Sequence, residues 1–126
     1  MHLMTIQIDR SEFLPEIENY ASTHKRGFKQ QSLELSEEVL DKAQEFFDAQ
    51  PWLDGDVSHY ETALQTRVTM KLWIYDRIDL KSEDKAWFVP SFIWYWVASR
   101  LISYIVKILI ERYWPKLYLE IPNEND

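Results

Sequence analysis

The chain has 126 residues, within the usual size of one compact domain, and its lack of cysteine excludes disulfide frameworks, thiolate metal sites and cysteine nucleophiles. Hydrophobic residues make up 46% and aromatic residues 15%, more than a disordered chain carries. The net charge is −7, and residues 1–65 hold 13 acids and 5 bases, so direct binding to phosphate backbones is disfavoured.

The start of the chain carries neither the basic segment nor the sustained apolar run of a secretory signal. We therefore expect a protein that is not exported and that resides in the cytoplasm or in a virion, with membrane association left open. No repeat, low-complexity run or long linker interrupts the sequence. One domain spanning residues 1–126 is expected.

Two elements are predicted near the amino terminus. Residues 3–8 alternate between two faces, which favours a short strand. Ser11 is then predicted to cap a helix that ends near His24–Gly27, where cations meet the negative helix terminus.

The clearest helical pattern covers residues 36–51. Ser36 is the predicted cap and Pro51 the predicted stop, while one face is apolar. The opposite face carries Glu37, Glu38 and Asp41, which are most simply explained as a solvated acidic surface.

Two later segments, residues 67–75 and 116–122, alternate with a period of two and are predicted as strands. The expected fold is therefore α+β, with a small mixed or antiparallel sheet packed against three to four helices, including one long hydrophobic C-terminal helix. An all-α fold, with residues 59–80 as one long helix, is the alternative.

That hydrophobic helix is predicted over residues 91–112, which is long enough to span a bilayer. Its apolar residues favour insertion by about 3–6 kcal/mol in total, while Arg100 and Lys107 each oppose it by about 2.5–3.5 kcal/mol, so the sum is near zero. The aromatic residues at its ends are of a type enriched in protein interfaces. We therefore expect core and interface to share the helix, with these partner-binding residues: Trp87, Phe88, Trp94, Tyr95, Trp96, Tyr113 and Trp114.

Recognised catalytic and nucleotide-binding motifs are absent, and the two glycines form no phosphate-binding loop. The oxygen and imidazole groups of Asp54, Asp56, His59 and Glu61 are of the types that bind a divalent cation, but an Asp-Gly turn followed by a capped helix explains them better. The sequence therefore predicts no catalytic, cofactor-binding or metal-binding residue.

These patterns indicate a non-enzymatic structural or assembly protein that buries its 87–114 surface against copies of itself or other subunits. Phage virion proteins such as head-to-tail adaptors are often similarly small, acidic and free of cysteine, but no motif in this sequence identifies such a family. One alternative is a small acidic inhibitor, an immunity or anti-defence protein, whose Glu37, Glu38 and Asp41 cap a basic nucleic-acid-binding partner. Another is a membrane-anchored accessory subunit with one span at about 91–112.

Overall fold

The computed structural model describes residues 6–24, 26–49, 63–80 and 91–120. In this part of the chain there are four α-helices: α1 (Arg10–His24), α2 (Lys29–Ala49), α3 (Ala63–Arg77) and α4 (Ser91–Glu120), with a short 3-10 turn at Arg26–Phe28. Helix α4 packs against α2 and α3, and α2 also packs against α1 and α3. A single hydrophobic core receives side chains from all four helices.

The predicted α+β fold is wrong, because none of the described residues forms a strand. The all-α alternative fits the structure. Its single helix over residues 59–80 corresponds to the observed α3, which ends at Arg77, while residues 59–62 lie outside the described residues.

Helix α3 contains the segment 67–75 that was predicted as a strand. The strand prediction placed Val68, Met70, Leu72 and Ile74 on one face. In the structure Met70 and Ile74 are buried, whereas Val68 and Leu72 are 49% and 64% exposed. Residues four apart share a helical face, so the apolar residues divide between a buried face and an exposed one. The β-branched and aromatic content suggested a strand, but packing against α2 and α4 determines the helix.

The strand predicted over residues 3–8 is also absent from the part that the structure describes, which begins at Ile6. The side-chain amide of Gln44 binds this backbone in place of a neighbouring strand. Its Nε2 donates to the carbonyl of Ile6 at 2.7 Å, and its Oε1 accepts the N–H of Ile8 at 2.9 Å. A side chain of α2 therefore satisfies the backbone groups that a sheet would have paired.

The third predicted strand, residues 116–122, is replaced by the last turns of α4. The helix continues through Pro115 to Glu120, whereas the sequence predicted an end near residue 112. The last two residues of this predicted strand lie outside the described residues.

Both predicted caps are displaced. Helix α1 begins at Arg10, so Asp9 precedes it; the Asp9 carbonyl accepts the N–H of Glu12 at 3.0 Å, and Ser11 donates its hydroxyl to the Asp9 carboxylate at 2.5 Å. Helix α1 ends at His24, at the beginning of the stretch His24–Gly27 near which its end was predicted. Ser36 lies inside α2, which begins at Lys29, and its buried hydroxyl donates to the carbonyl of the preceding turn at 2.7 Å.

Helix α4 supplies more of the core than any other helix. Its fully covered residues include Leu101, Ile102, Ile105 and Leu109, each with 0% exposure. Helices α1, α2 and α3 therefore cover most of the apolar surface whose shielding the sequence left open. At about 25 cal/mol per Å², this burial is the main favourable contribution to folding.

Leu101 and Leu72 provide a matched test of this arrangement, because the same side chain is buried in one case and exposed in the other. We expect Leu101→Ala to lower the free energy of unfolding by about 2–5 kcal/mol. Leu72→Ala should change it by about 0.5 kcal/mol or less. Urea denaturation followed by tryptophan fluorescence measures both values. If the two variants lost equal amounts of unfolding free energy, the placement of α4 as the core helix would be contradicted.

Candidate interaction surfaces

The first turns of α4 expose large apolar side chains. Phe92 is 74% exposed and Trp96 58%, and Ile93 and Tyr95 are also exposed. We call these four residues the aromatic patch. The guanidinium of Arg100, one turn further along the helix, lies 5.2 Å from the centre of the Trp96 ring, within the range of a cation–π contact. The apolar surface of α4 is therefore covered along the middle of the helix and exposed at its amino-terminal end.

Helix α3 carries a second exposed apolar surface. Leu64, Val68 and Leu72 recur every four residues, and Leu64 and Leu72 are 67% and 64% exposed. We call these three residues the α3 stripe. Leu72 also borders a shallow open depression next to Trp73 and Tyr75. The described large apolar residues that are exposed therefore lie on α3 and α4, two helices that pack together.

The predicted partner-binding aromatics divide into three groups. Tyr95 and Trp96 belong to the exposed aromatic patch, whereas Trp94 and Tyr113 are only 1% and 3% exposed and lie in the core. The third group, Trp87, Phe88 and Trp114, has side chains that lie outside the described part of the chain.

Tyr113 illustrates why an aromatic residue at the end of a hydrophobic helix need not face a partner. Its ring packs against Phe13 and Phe47, with centroids 5.8 and 5.6 Å away. Its hydroxyl accepts the backbone N–H of Asp9 at 3.0 Å and donates to the carbonyl of Gln7 at 3.3 Å. The residue therefore connects the amino-terminal segment to α4.

Sequence reasoning did not identify Phe92 or the three residues of the α3 stripe. The signal for the stripe was the four-residue spacing of Leu64, Val68 and Leu72, but it has meaning only for a helix. The signal for Phe92 was weaker, because nothing in the sequence shows which turns of a hydrophobic helix its neighbours will cover.

The outer face of α2 is acidic, as the sequence predicted. Its carboxylates recur every three or four residues: Glu34, Glu37, Glu38, Asp41, Glu45 and Asp48. We call this set the acidic face.

Two cations lie against the acidic face. Arg10 donates to Glu37 at 2.9 Å and also binds Asp41, and its hydrogen bond to Asp41 raises the pKa of the guanidinium. Lys42 pairs with Glu45 at 3.2 Å. Glu37 and Asp41 remain more than half exposed, so this pairing leaves them accessible to solvent.

The outer face of α4 carries charge of the opposite sign. Glu111 on this helix pairs with Arg67 of α3 at 3.1 Å. The exposed cations Arg100 and Lys107 form no ion pair with a carboxylate among the described residues. The aromatic patch therefore continues along α4 into a positively charged surface.

A contact between α1 and α4 buries part of Tyr104. Its ring stacks on that of Tyr20 with centroids 4.0 Å apart, and its hydroxyl donates to Glu16 at 3.2 Å. Burial, followed by the negative charge of Glu16, raises the pKa of Tyr104 to about 12. The phenol therefore stays protonated and keeps the two helices joined.

Among the described residues, no group of three His, Cys, Asp or Glu side chains is arranged to hold a metal ion. The weak cation candidate formed by Asp54, Asp56, His59 and Glu61 lies outside those residues. No protein-family model, curated protein sequence or solved structure matches this chain. The candidate sites are therefore defined by surface chemistry alone.

The Tyr104 contact predicts how stability depends on pH. In the unfolded chain tyrosine titrates near pH 10, and in the folded protein Tyr104 titrates at about 12. The contribution of Tyr104 to the free energy of unfolding is therefore complete below about pH 10 and is lost as the pH rises towards about 12. Thermal unfolding measured across this range should show the decline, and Tyr104→Phe should reduce it.

Ultraviolet absorbance of tyrosinate provides the direct measurement. Glu16→Gln should lower the pKa of Tyr104, because the neighbouring negative charge is removed. Tyr95→Phe, on the exposed aromatic patch, is the matched control and should leave the titration step near pH 12 in place. If Tyr95→Phe removed the titration step near pH 12, that step would not belong to Tyr104 and the prediction would be wrong.

Proposed function

We propose that this protein is a non-enzymatic subunit that works by binding protein partners, as part of an oligomer or a larger assembly. The observation that carries the proposal is the exposed apolar surface on α3 and α4. It combines the aromatic patch, in which Phe92 is 74% exposed, with the α3 stripe.

The composition of the surface supports a protein partner. Single exposed apolar residues are ordinary, but a group of large ones concentrated on two packed helices is typical of an interaction site. Aromatic residues and arginine are enriched at the energetic centres of interfaces, and Trp96 with Arg100 supplies both. Burying a side chain the size of Phe92 contributes about 1.5–3 kcal/mol before the losses of association are subtracted.

A location in the cytoplasm or in a virion is part of this proposal. The analogy with phage virion parts such as head-to-tail adaptors rests on the small size, the absence of cysteine and the acidic composition. The chemistry of the surface supports assembly with protein subunits more directly than it supports any one kind of particle.

A small acidic inhibitor has less support. Its surface would be the acidic face of α2, where Glu37 and Asp41 already share Arg10 and where Lys42 pairs with Glu45. The exposed apolar side chains would also have no role in such a contact.

A membrane-anchored subunit also has less support. Residues 92–113 are long and apolar enough to cross a bilayer, but 56% of the apolar stretch is buried within the bundle. Inserting α4 into lipid would remove it from the apolar faces of α1, α2 and α3 and leave those faces exposed. Arg100 would also require a partner within the bilayer.

Analytical ultracentrifugation in detergent-free buffer tests the proposal. We expect the wild-type protein to sediment as a multimer and Phe92→Ser/Trp96→Ser to shift it towards monomer, because the variant removes the two most exposed aromatic side chains of the patch. Leu64→Ser/Leu72→Ser tests the α3 stripe in the same way.

Glu18→Ser/Asn19→Ser, on the exposed side of α1, is the surface control and should leave the sedimentation unchanged. Circular dichroism verifies that each variant is folded. A wild-type protein that remains monomeric from micromolar to millimolar concentration would count against self-assembly. If it also fails to bind any other subunit, the proposal is wrong.

A further inference from the structure

The helices separate charge across the bundle. Helix α1 has a formal charge of −2 and α2 of −4, whereas α3 and α4 each have a charge of +2. The net charge of −7 therefore conceals one acidic pair of helices and one basic pair.

The acidic face of α2 and the outer face of α4 point in opposite directions. These two helices pack against each other through their buried faces. The side chains that each helix exposes are consequently on the side away from the other helix. One copy of the chain thus presents an acidic surface and, on the opposite side of the bundle, a surface that is both aromatic and basic.

The two surfaces also agree in length. The acidic face extends from Glu34 to Asp48, which is about 21 Å at the helical rise per residue. On α4 the exposed side chains from Phe92 to Lys107 cover about 22 Å. Within this second surface, Arg100 and Lys107 have no carboxylate partner among the described residues.

Building on the proposed function, we propose that the partner is a second copy of this chain, bound head to tail. The acidic face of one copy contacts the outer face of α4 in the next copy, including Trp96, Arg100 and Lys107. Because such an interface joins two different surfaces, each copy keeps one free surface for a further copy. The product is a closed ring or an open filament, whereas a contact between two identical surfaces would stop at a dimer.

The contact combines two kinds of interaction. Carboxylates of the acidic face meet Arg100 and Lys107, which specifies the pairing and its direction. The aromatic patch and the aliphatic parts of the long charged side chains provide the apolar area. The like net charge of two copies opposes association at long range, so reversing particular charges is a sharper test than changing the salt concentration.

Two charge-reversed variants test the arrangement by sedimentation velocity. Glu34→Lys/Asp48→Lys changes the acidic face at two exposed positions whose side-chain hydrogen bonds, within the described part of the chain, join them only to glutamines on the same helix. Arg100→Glu/Lys107→Glu changes the outer face of α4. We expect each variant alone to associate at least about tenfold more weakly than wild type. Mixing the two variants should restore part of the association, because lysines introduced on one surface then face glutamates introduced on the other.

The control Glu18→Lys/Asn19→Lys adds positive charge to α1 outside both surfaces and should associate like wild type. If Glu34→Lys/Asp48→Lys assembles normally while Arg100→Glu/Lys107→Glu does not, the contact joins two α4 surfaces and the head-to-tail arrangement is wrong. The proposed assembly function survives that result. A monomeric wild-type protein would instead overturn the self-contact, and binding of a basic foreign protein to the acidic face would then identify the inhibitor alternative.

Discussion

The burial of α4 is the constraint on which the rest of the structure depends. A helix this apolar is unstable in water unless other surfaces cover it, and α1, α2 and α3 provide that cover along its middle. The covering helices must therefore be amphipathic, with their polar residues outward. The acidic face of α2 follows from this requirement, because the side of α2 that does not touch the core is free to carry charge.

The same constraint explains where apolar surface is left over. The cover over α4 is complete around Leu101 and Leu109 and incomplete at its first turns, where Phe92 and Trp96 are exposed. Helix α3, which packs against α4, adds the exposed side chains of Leu64 and Leu72. The proposed interaction site is thus the part of the hydrophobic surface that three short helices cannot enclose.

Polar side chains hold this arrangement together at its edges. Gln44 and Tyr113 bind the backbone of the segment that precedes α1, and Tyr104 joins α4 to α1 through Tyr20 and Glu16. These contacts connect residues that are far apart in the sequence. They fix the position of α1 more specifically than apolar packing does, because each hydrogen bond requires a defined distance and direction.

The sequence by itself determined the hydrophobic helix over residues 91–112, the acidic outer face of α2 and the end of α1 near His24, because each depends on residues close together in the chain. It did not determine that residues 67–75 are helical, since their alternation suits a strand and only packing against α2 and α4 selects the helix. It also could not separate buried Trp94 and Tyr113 from exposed Tyr95 and Trp96. These aromatic residues are chemically alike, and which of them meets water depends on where the neighbouring helices end, a property of the tertiary structure alone.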